Sequence, residues 1–243
     1  MHVPLGLWLA VAAAIALVVG STLAGLWRLA DLEARGRVAL GLSLWLAADV
    51  VLAGLGVFAA TAHRVVPFIA LGIVTPVVVG VWLMRRPSSL RRVLESLSVR
   101  SLIAVQTYRV AGVVFLVAWA DGRLPAIFAL PAGLGDVAVG LSAAWVAVRV
   151  DDGMARSRRR AVVWNLCGIG DLVVAVTLGA LTSPTPLWPD ALGASNPLVS
   201  RIPFVLIPVF AVPLSVLLHV ATLRRLAVPS TRSVHEDPRP VAA

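Results

Sequence analysis

Two apolar stretches of this 243-residue chain each carry the tetrad Gly-x-Gly-Asp, which places a carboxylate inside an expected membrane helix. The tetrads occupy residues 133–136 (Gly-Leu-Gly-Asp) and 168–171 (Gly-Ile-Gly-Asp), in the two arms of a predicted helical hairpin over residues 124–181. A buried carboxylate can pair with an arginine, hold a cation or exchange a proton. The glycines allow neighbouring helices to approach closely. We therefore expect the chemistry of this protein in the hairpin.

An arginine and a third aspartate are predicted at the depth of the two tetrad aspartates. Counting about 1.5 Å per residue puts four ionisable residues near the centres of predicted helices two, four, five and six: Asp49, Arg109, Asp136 and Asp171. Each would cost about 2.5 to 3.5 kcal/mol if it faced lipid, so we expect them to face inward and meet. Arginine stays charged at any accessible pH. Because three aspartates share one arginine, at least one aspartate is expected to be protonated near neutral pH or to hold a cation.

Polar residues on the same helices extend this group into a hypothetical substrate or proton site. Gln106 lies one turn before Arg109, and Asn165 lies on the sixth helix towards its inner end. The full hypothetical site contains Arg109, Asp136, Asp171, Asp49, Gln106 and Asn165. His219, near the inner end of the last helix, is expected to be a hydrogen-bonded structural residue rather than a haem ligand.

A purely structural interpretation explains the same residues. One Arg–Asp pair can fix helix register while the other aspartates bond to backbone or hydroxyl groups, and the glycines can be packing surfaces. The recurrence of the tetrad in two antiparallel helices is also the pattern that a two-fold axis in the membrane plane would leave in a sequence. Transporter sites often lie on such axes. Both interpretations are kept at this point.

Composition and spacing exclude several chemistries. The chain has no lysine, so no Schiff base to retinal can form, and its one cysteine, Cys167, makes neither an internal disulfide nor a thiolate cluster. The four histidines lack metal-ligand spacing, and no nucleotide-binding loop is visible. We predict no catalytic residue, no metal and no cofactor. The sequence does not decide whether the protein is an enzyme, but it favours a protein that is not.

The frame around these residues is predicted to be all-α, a polytopic bundle of seven membrane helices. Hydrophobic residues make up 59% of the chain and charged residues 14%, against about 25% charged in soluble domains. A spanning helix needs about 20 apolar residues, and seven segments qualify: 4–27, 38–61, 65–84, 101–119, 125–148, 161–182 and 202–223. Residues 1–225 are predicted to form one transmembrane domain, and residues 226–243 a disordered cytoplasmic tail.

The arginines predict the orientation of the bundle. Alternate connections and the tail hold seventeen arginines, whereas the opposite connections hold only Arg64, Arg123 and Arg201. Cytoplasmic loops collect basic residues, so the N-terminus is predicted outside, the C-terminus in the cytoplasm, and the protein in the cell membrane as a multi-pass protein. The same distribution explains the net charge of +9 without a nucleic-acid partner.

Two connections have features of their own. Leu90, Val93, Leu94 and Leu97 recur at helical spacing between helices three and four, which predicts a short helix on the inner surface whose arginines contact anionic lipid headgroups. A solvated loop is the alternative. The proline-rich outer loop over residues 183–201 is expected to be a stiff connection rather than a lid.

Two resemblances follow from the tetrads. Residues 129–136 (Ala-Leu-Pro-Ala-Gly-Leu-Gly-Asp), with Trp164-Asn165 and the spacing to Gly168 and Asp171, resemble a group of uncharacterised bacterial multi-pass proteins over residues 101–223. The tetrad also resembles that of intramembrane aspartyl proteases, which would make Asp136 and Asp171 an aspartyl pair. The chain departs from those proteases in having seven helices, no Pro-Ala-Leu motif in the last one, and Arg109 nearby.

The leading hypothesis is a small transporter, channel or ligand-binding protein with a midplane site between helices four, five and six. Arg109 would hold an anionic group or neutralise Asp136, while Asp171 would exchange a proton. The alternatives are an accessory subunit packed against a larger membrane complex, whose partner the sequence does not identify, and an intramembrane aspartyl protease.

Overall fold

Helices alone make up the secondary structure of the described part of the chain. The computed structural model describes residues 3–27, 31–59, 68–150, 155–184 and 195–227. Seven helical spans there are long and apolar enough to cross a membrane, which confirms the predicted all-α fold. Arg64, the centre of the outer loop and the predicted tail from residue 228 onwards lie outside the described residues. The predicted orientation stays a prediction.

The described residues form nine α-helices and three short 3₁₀ or π-helical segments, of which the 3₁₀ turn Leu198–Ser200 lies outside the spans. The α-helices are α1 (Leu5–Trp27), α2 (Leu32–Gly54), α3 (Phe68–Arg85), α4 (Ser89–Ser96), α5 (Val99–Val105), α6 (Val113–Ala120), α7 (Ala126–Arg149), α8 (Ala155–Thr182) and α9 (Val212–Ala227). A 3₁₀ segment, Gln106–Gly112, joins α5 to α6 and makes them one span, Val99–Ala120. A π-helical turn, Ile207–Ala211, leads into α9.

The start of α2 shows what hydropathy misses. Hydropathy predicts a span over 38–61, but the helix begins at Leu32, because the Asp31 side chain caps it by accepting a hydrogen bond from the Ala34 amide at 2.9 Å. The first turns of α2 carry charged residues. Hydropathy therefore leaves them out of the predicted span, although they are helical. Beyond the other end, Gly56 adopts a φ of +72°, a conformation that favours glycine.

The short helix expected between helices three and four is present as α4. Ser88 caps its N-terminus by accepting from the Arg91 amide at 3.1 Å. Its apolar side is buried at Val93, while Arg92 pairs with Asp31 at 3.3 Å. The helix α4 follows α3 in the chain and packs against both α3 and α2, and the ion pair to Asp31 joins it to the start of α2.

The most buried spans are Ile207–Ala227 and Val99–Ala120, and α7 packs beside the second of them. This helix packs against the 3₁₀ segment, α8, α6 and α5, and α9 packs against α3, α8 and α5. The helix α2 packs against α4, α1 and the π-helical turn. Only 11% of the most apolar window in α2, and the same share in α3, is buried, so these two helices present the most apolar surface to lipid.

Candidate functional site

Arg109 lies at the centre of the site, in the middle of the 3₁₀ segment. Its side chain is only 2% exposed. Nε donates a hydrogen bond to Asp136 Oδ1 at 2.8 Å, and Nη2 lies 2.7 Å from the same oxygen. Arg109 and Asp136 therefore form a buried, charge-assisted pair that joins the 3₁₀ segment to α7.

The same guanidinium also binds the aspartate of the second tetrad. Arg109 Nη2 pairs with Asp171 Oδ2 on α8. The structure thus brings together three of the four ionisable residues that the sequence placed at one depth. Two carboxylates on one guanidinium leave one negative charge in excess when both are ionised, and their side chains remain 17% (Asp136) and 15% (Asp171) exposed.

The remaining donors of Arg109 point to α8 and α9. Nη1 lies 3.3 Å from the Gly168 carbonyl oxygen and 3.3 Å from His219 Nε2. An arginine has five N–H groups and no acceptor. With the bonds to Asp136 and Asp171, the guanidinium donates four hydrogen bonds, so each of its three nitrogens has an acceptor within the chain.

The contacts of His219 fix its tautomer. Arg109 can only donate, so His219 Nε2 accepts and carries no proton. His219 Nδ1 then donates to Asn165 Oδ1 at 2.8 Å, and Asn165 Nδ2 donates to the Ala161 carbonyl at 2.7 Å. His219 is therefore a neutral acceptor held in place by Asn165. We call Arg109, Asp136, Asp171 and His219 the polar cluster.

Glycines provide the space that three members of the polar cluster occupy. A Cβ atom on Gly112 would meet Asp136, one on Gly135 would meet Asp171 Oδ1, and one on Gly168 would meet the His219 ring. A Cβ on Gly170, by contrast, would meet nothing within 4 Å. Gly135 and Gly168 of the tetrads are therefore packing surfaces, as one interpretation of the sequence held, and together with Gly112 they pack against ionisable side chains.

A small cavity adjoins the polar cluster on the side of α1 and the π-helical turn. Its volume is about 40 Å³, and its polar lining comes from Tyr108, Arg109, Asp136 and Ser215. This volume is enough for a water molecule. Tyr108 Oη and Ser215 Oγ lie 2.9 Å apart and share a hydrogen bond. Within the described residues, no three His, Cys, Asp or Glu side chains lie where they could hold one metal ion.

Asp49 lies apart from the polar cluster. It is buried, 5% exposed, but no described residue forms an ion pair with it, and its Oδ2 has no hydrogen-bond partner among them. Trp45 contributes a hydrogen bond to the carboxyl group. The expectation that Asp49 meets Arg109 does not hold in this structure, because α2 packs against α1, α4 and the π-helical turn rather than against α7 and α8.

Gln106 is a second isolated polar group. It is completely buried, and neither Oε1 nor Nε2 has a hydrogen-bond partner in the described part of the chain. A buried amide without partners costs about 1 to 3 kcal/mol. Its position one turn before Arg109 therefore requires a reason other than the stability of the bundle.

Sequence reasoning did not assign two residues of this region, His219 and Gly112, to the site. His219 was expected to be structural and was not assigned to the site, and Gly112 carried no signal beyond being a small residue in an apolar span. The useful signal is the spacing of Ser215 and His219, one turn apart on α9, because both bond to the 3₁₀ segment, to Tyr108 and Arg109 respectively.

Comparison with known proteins places the chain in a family. No curated protein and no solved structure matches it. A family model described as a domain of unknown function, DUF8737, matches residues 66–227. This region contains α3 to α9 and hence the whole polar cluster, whereas α1 and α2 precede it. Because the match covers well over half of the sequence, the chain belongs to the DUF8737 family.

Proposed function

We propose that this protein is a small membrane transporter in which the aspartates of the polar cluster exchange a proton as a solute is moved. The observation that supports this proposal is that Asp136 and Asp171 share one guanidinium, so that two carboxylates face a single positive charge. When both carboxylates are ionised they carry two negative charges, and Arg109 neutralises only one of them. A proton or a cationic group is the partner that balances this excess charge.

The contacts also divide the roles of the two aspartates. Asp136 accepts from Nε and lies within reach of Nη2, so it is the fixed partner of Arg109. Asp171 is held through Oδ2 alone, and its Oδ1 forms no hydrogen bond with the described residues. Asp171 is the carboxylate we assign to proton exchange, with His219 and Asn165 keeping Arg109 in place.

The charge of the site selects among solutes. An anionic solute would have to compete with two carboxylates for Arg109, because each nitrogen of the guanidinium already donates to an acceptor in the chain. A neutral or cationic solute meets no such competition. Of the two roles expected for Arg109, holding an anionic group or neutralising Asp136, we therefore keep the second.

The proposal includes the orientation predicted from the arginines, with the N-terminus outside and the C-terminus in the cytoplasm of a cell membrane. Seventeen arginines on one side against three on the other support it. In this orientation Asn165 and His219 lie on the cytoplasmic side of Asp171, since α8 leaves the cytoplasm and α9 returns to it.

The proposal is tested on proteoliposomes by electrophysiology on a solid support. Pools of cationic, neutral and anionic solutes are applied with and without a pH gradient. We expect a current that depends on the gradient with a cationic or neutral pool, and its loss in Asp171→Asn. Gly170→Ala is the matched control, because it changes the same tetrad where no atom lies within 4 Å of the new Cβ. Transport that ignores the pH gradient, or that persists in Asp171→Asn, would exclude the mechanism.

A second candidate is a structural subunit in which the polar cluster only joins helices. It is favoured by the four hydrogen bonds that Arg109 donates within the chain, which join the 3₁₀ segment to α7, α8 and α9. This candidate predicts copurification with a stable membrane partner. It also predicts that Asp171→Asn lowers the stability of the protein and weakens partner binding in proportion to that loss of stability.

The geometry disfavours the aspartyl protease suggested by the tetrads. A protease pair holds two carboxyl groups around a shared proton, whereas here both carboxylates bind the same guanidinium. Binding of a transition-state-like aspartyl inhibitor that is abolished by either Asp136→Ala or Asp171→Ala would reverse this judgement.

A further inference from the structure

A second, larger cavity lies away from the polar cluster. Its volume is about 470 Å³, within the range of ligand pockets. It is bounded by α1, α2, α3, α4, α5 and α9, and aliphatic side chains such as Leu42, Val79 and Met84 form most of its wall. Such a wall offers almost no hydrogen bonds to orient a polar solute, so it suits a hydrocarbon chain.

The cavity faces the membrane between two helices that scarcely touch. Within the described residues, α2 packs against α1, α4 and the π-helical turn, and α3 packs against α4, the same turn and α9, but no extensive contact joins α2 to α3. Both helices belong to membrane spans. A chain from the surrounding bilayer can therefore enter sideways without crossing water.

The polar atoms of the wall gather at one end of the cavity. Arg37 lies in the first turns of α2, while Ser88 and Ser89 lie at the start of α4. The end of α3 and the start of α5 lie at the same face of the bundle, because successive spans alternate in direction. Residues 31–37 and 85–100 of this face carry seven arginines and three carboxylates. The face is thus strongly basic.

We propose that this cavity binds one acyl chain of an anionic membrane phospholipid, with the headgroup at Arg37 and Ser89. The apolar wall selects the chain, and the basic face selects the anionic headgroup. Arg37 pairs with Glu33, but both side chains are more than half exposed, and such surface pairs contribute little. Arg37 can therefore turn to a phosphate.

The test is photo-cross-linking of the full chain in nanodiscs of mixed phosphatidylcholine and phosphatidylglycerol. A trace of one lipid carries a diazirine on its acyl chain, and the labelled peptides are mapped by mass spectrometry. We expect phosphatidylglycerol to label α2 and α3 at cavity residues such as Leu42, Val79 and Met84. We expect phosphatidylcholine to label them less.

Two kinds of variant distinguish lipid bound in this cavity from the lipid that surrounds the whole bundle. Gly41 lines the cavity, and a Cβ there meets no atom within 4 Å, so Gly41→Phe is the variant chosen to occupy the space with a side chain. Gly54→Phe is the matched control, since it lies on the same helix, in open space and outside the cavity. Arg37→Gln should leave labelling by phosphatidylcholine unchanged and lower the preference for phosphatidylglycerol by about fivefold.

The outcomes decide the proposal. Loss of α2 and α3 labelling in Gly41→Phe, with normal labelling in Gly54→Phe, supports it. Labelling spread evenly over all spans and unchanged in Gly41→Phe overturns it, as does the absence of cavity labelling by either lipid, which would leave the space to a second copy or a partner chain. Cavity labelling without headgroup preference, equal in wild type and Arg37→Gln, overturns the anionic assignment.

Discussion

Asp171 lies directly against Gly135, so that the acid of the second tetrad occupies the space left by a glycine of the first. A Cβ on Gly135 would overlap Asp171 Oδ1. The reverse relationship is not present, because Gly170 faces open space and Asp136 packs against Gly112. The contacts of the two tetrads are therefore not related by a two-fold axis, although their sequences suggest one.

The first prediction concerns this contact. Gly135→Ala should push Asp171 away from Arg109 and lower the free energy of unfolding by about 3 to 5 kcal/mol, the cost of breaking a buried ion pair. Gly170→Ala should change it little or raise it by up to about 1 kcal/mol, because alanine is the better helix former. Thermal unfolding in detergent measures both variants. Equal losses would mean that the two glycines act through the helix backbone rather than through Asp171.

The second prediction separates the roles of the two aspartates. Asp136→Asn should destabilise more than Asp171→Asn, because Asp136 meets both Nε and Nη2 of the buried Arg109. Unfolding measured across pH should also differ. If Asp171 exchanges protons, the pH dependence of wild-type stability should be reduced in Asp171→Asn. Equal destabilisation, with identical pH profiles for wild type and Asp171→Asn, would favour the structural role.

Arg109 and Asp49 show what can and what cannot be predicted from the sequence. Both were placed near the middle of a span, because a span needs about 20 apolar residues and the depth of each residue follows from its count. Depth alone does not say which neighbour a side chain meets. Arg109 faces α7 and α8, whereas Asp49 belongs to a helix that packs elsewhere. His219 is hydrogen-bonded, as expected, but its contact with Arg109 was not foreseen for the same reason, since α9 meets the other helices only in three dimensions.

The third prediction concerns the support of Arg109 by α9. His219→Ala leaves one Arg109 donor and Asn165 Oδ1 without their partners, so it should cost about 1 to 3 kcal/mol for each unpaired group. Asn165→Ala frees the imidazole to rotate and should cost less. Because the two residues act in one chain of hydrogen bonds, the double variant should cost less than the sum of the singles. Additive losses in a double-mutant cycle would show that His219 and Asn165 act independently.

The fourth prediction concerns Gln106, whose buried amide has no partner in the described residues. Gln106→Met keeps a similar volume and removes both polar atoms, so it should raise the free energy of unfolding by about 1 to 3 kcal/mol. A residue kept at a cost to stability is expected to serve function. The same variant should therefore lose solute-dependent current while being more stable than the wild type. A loss of stability in Gln106→Met would show instead that Gln106 binds an ordered water and belongs to the structure of the bundle. Higher stability with an unchanged current would show that Gln106 is not part of the site.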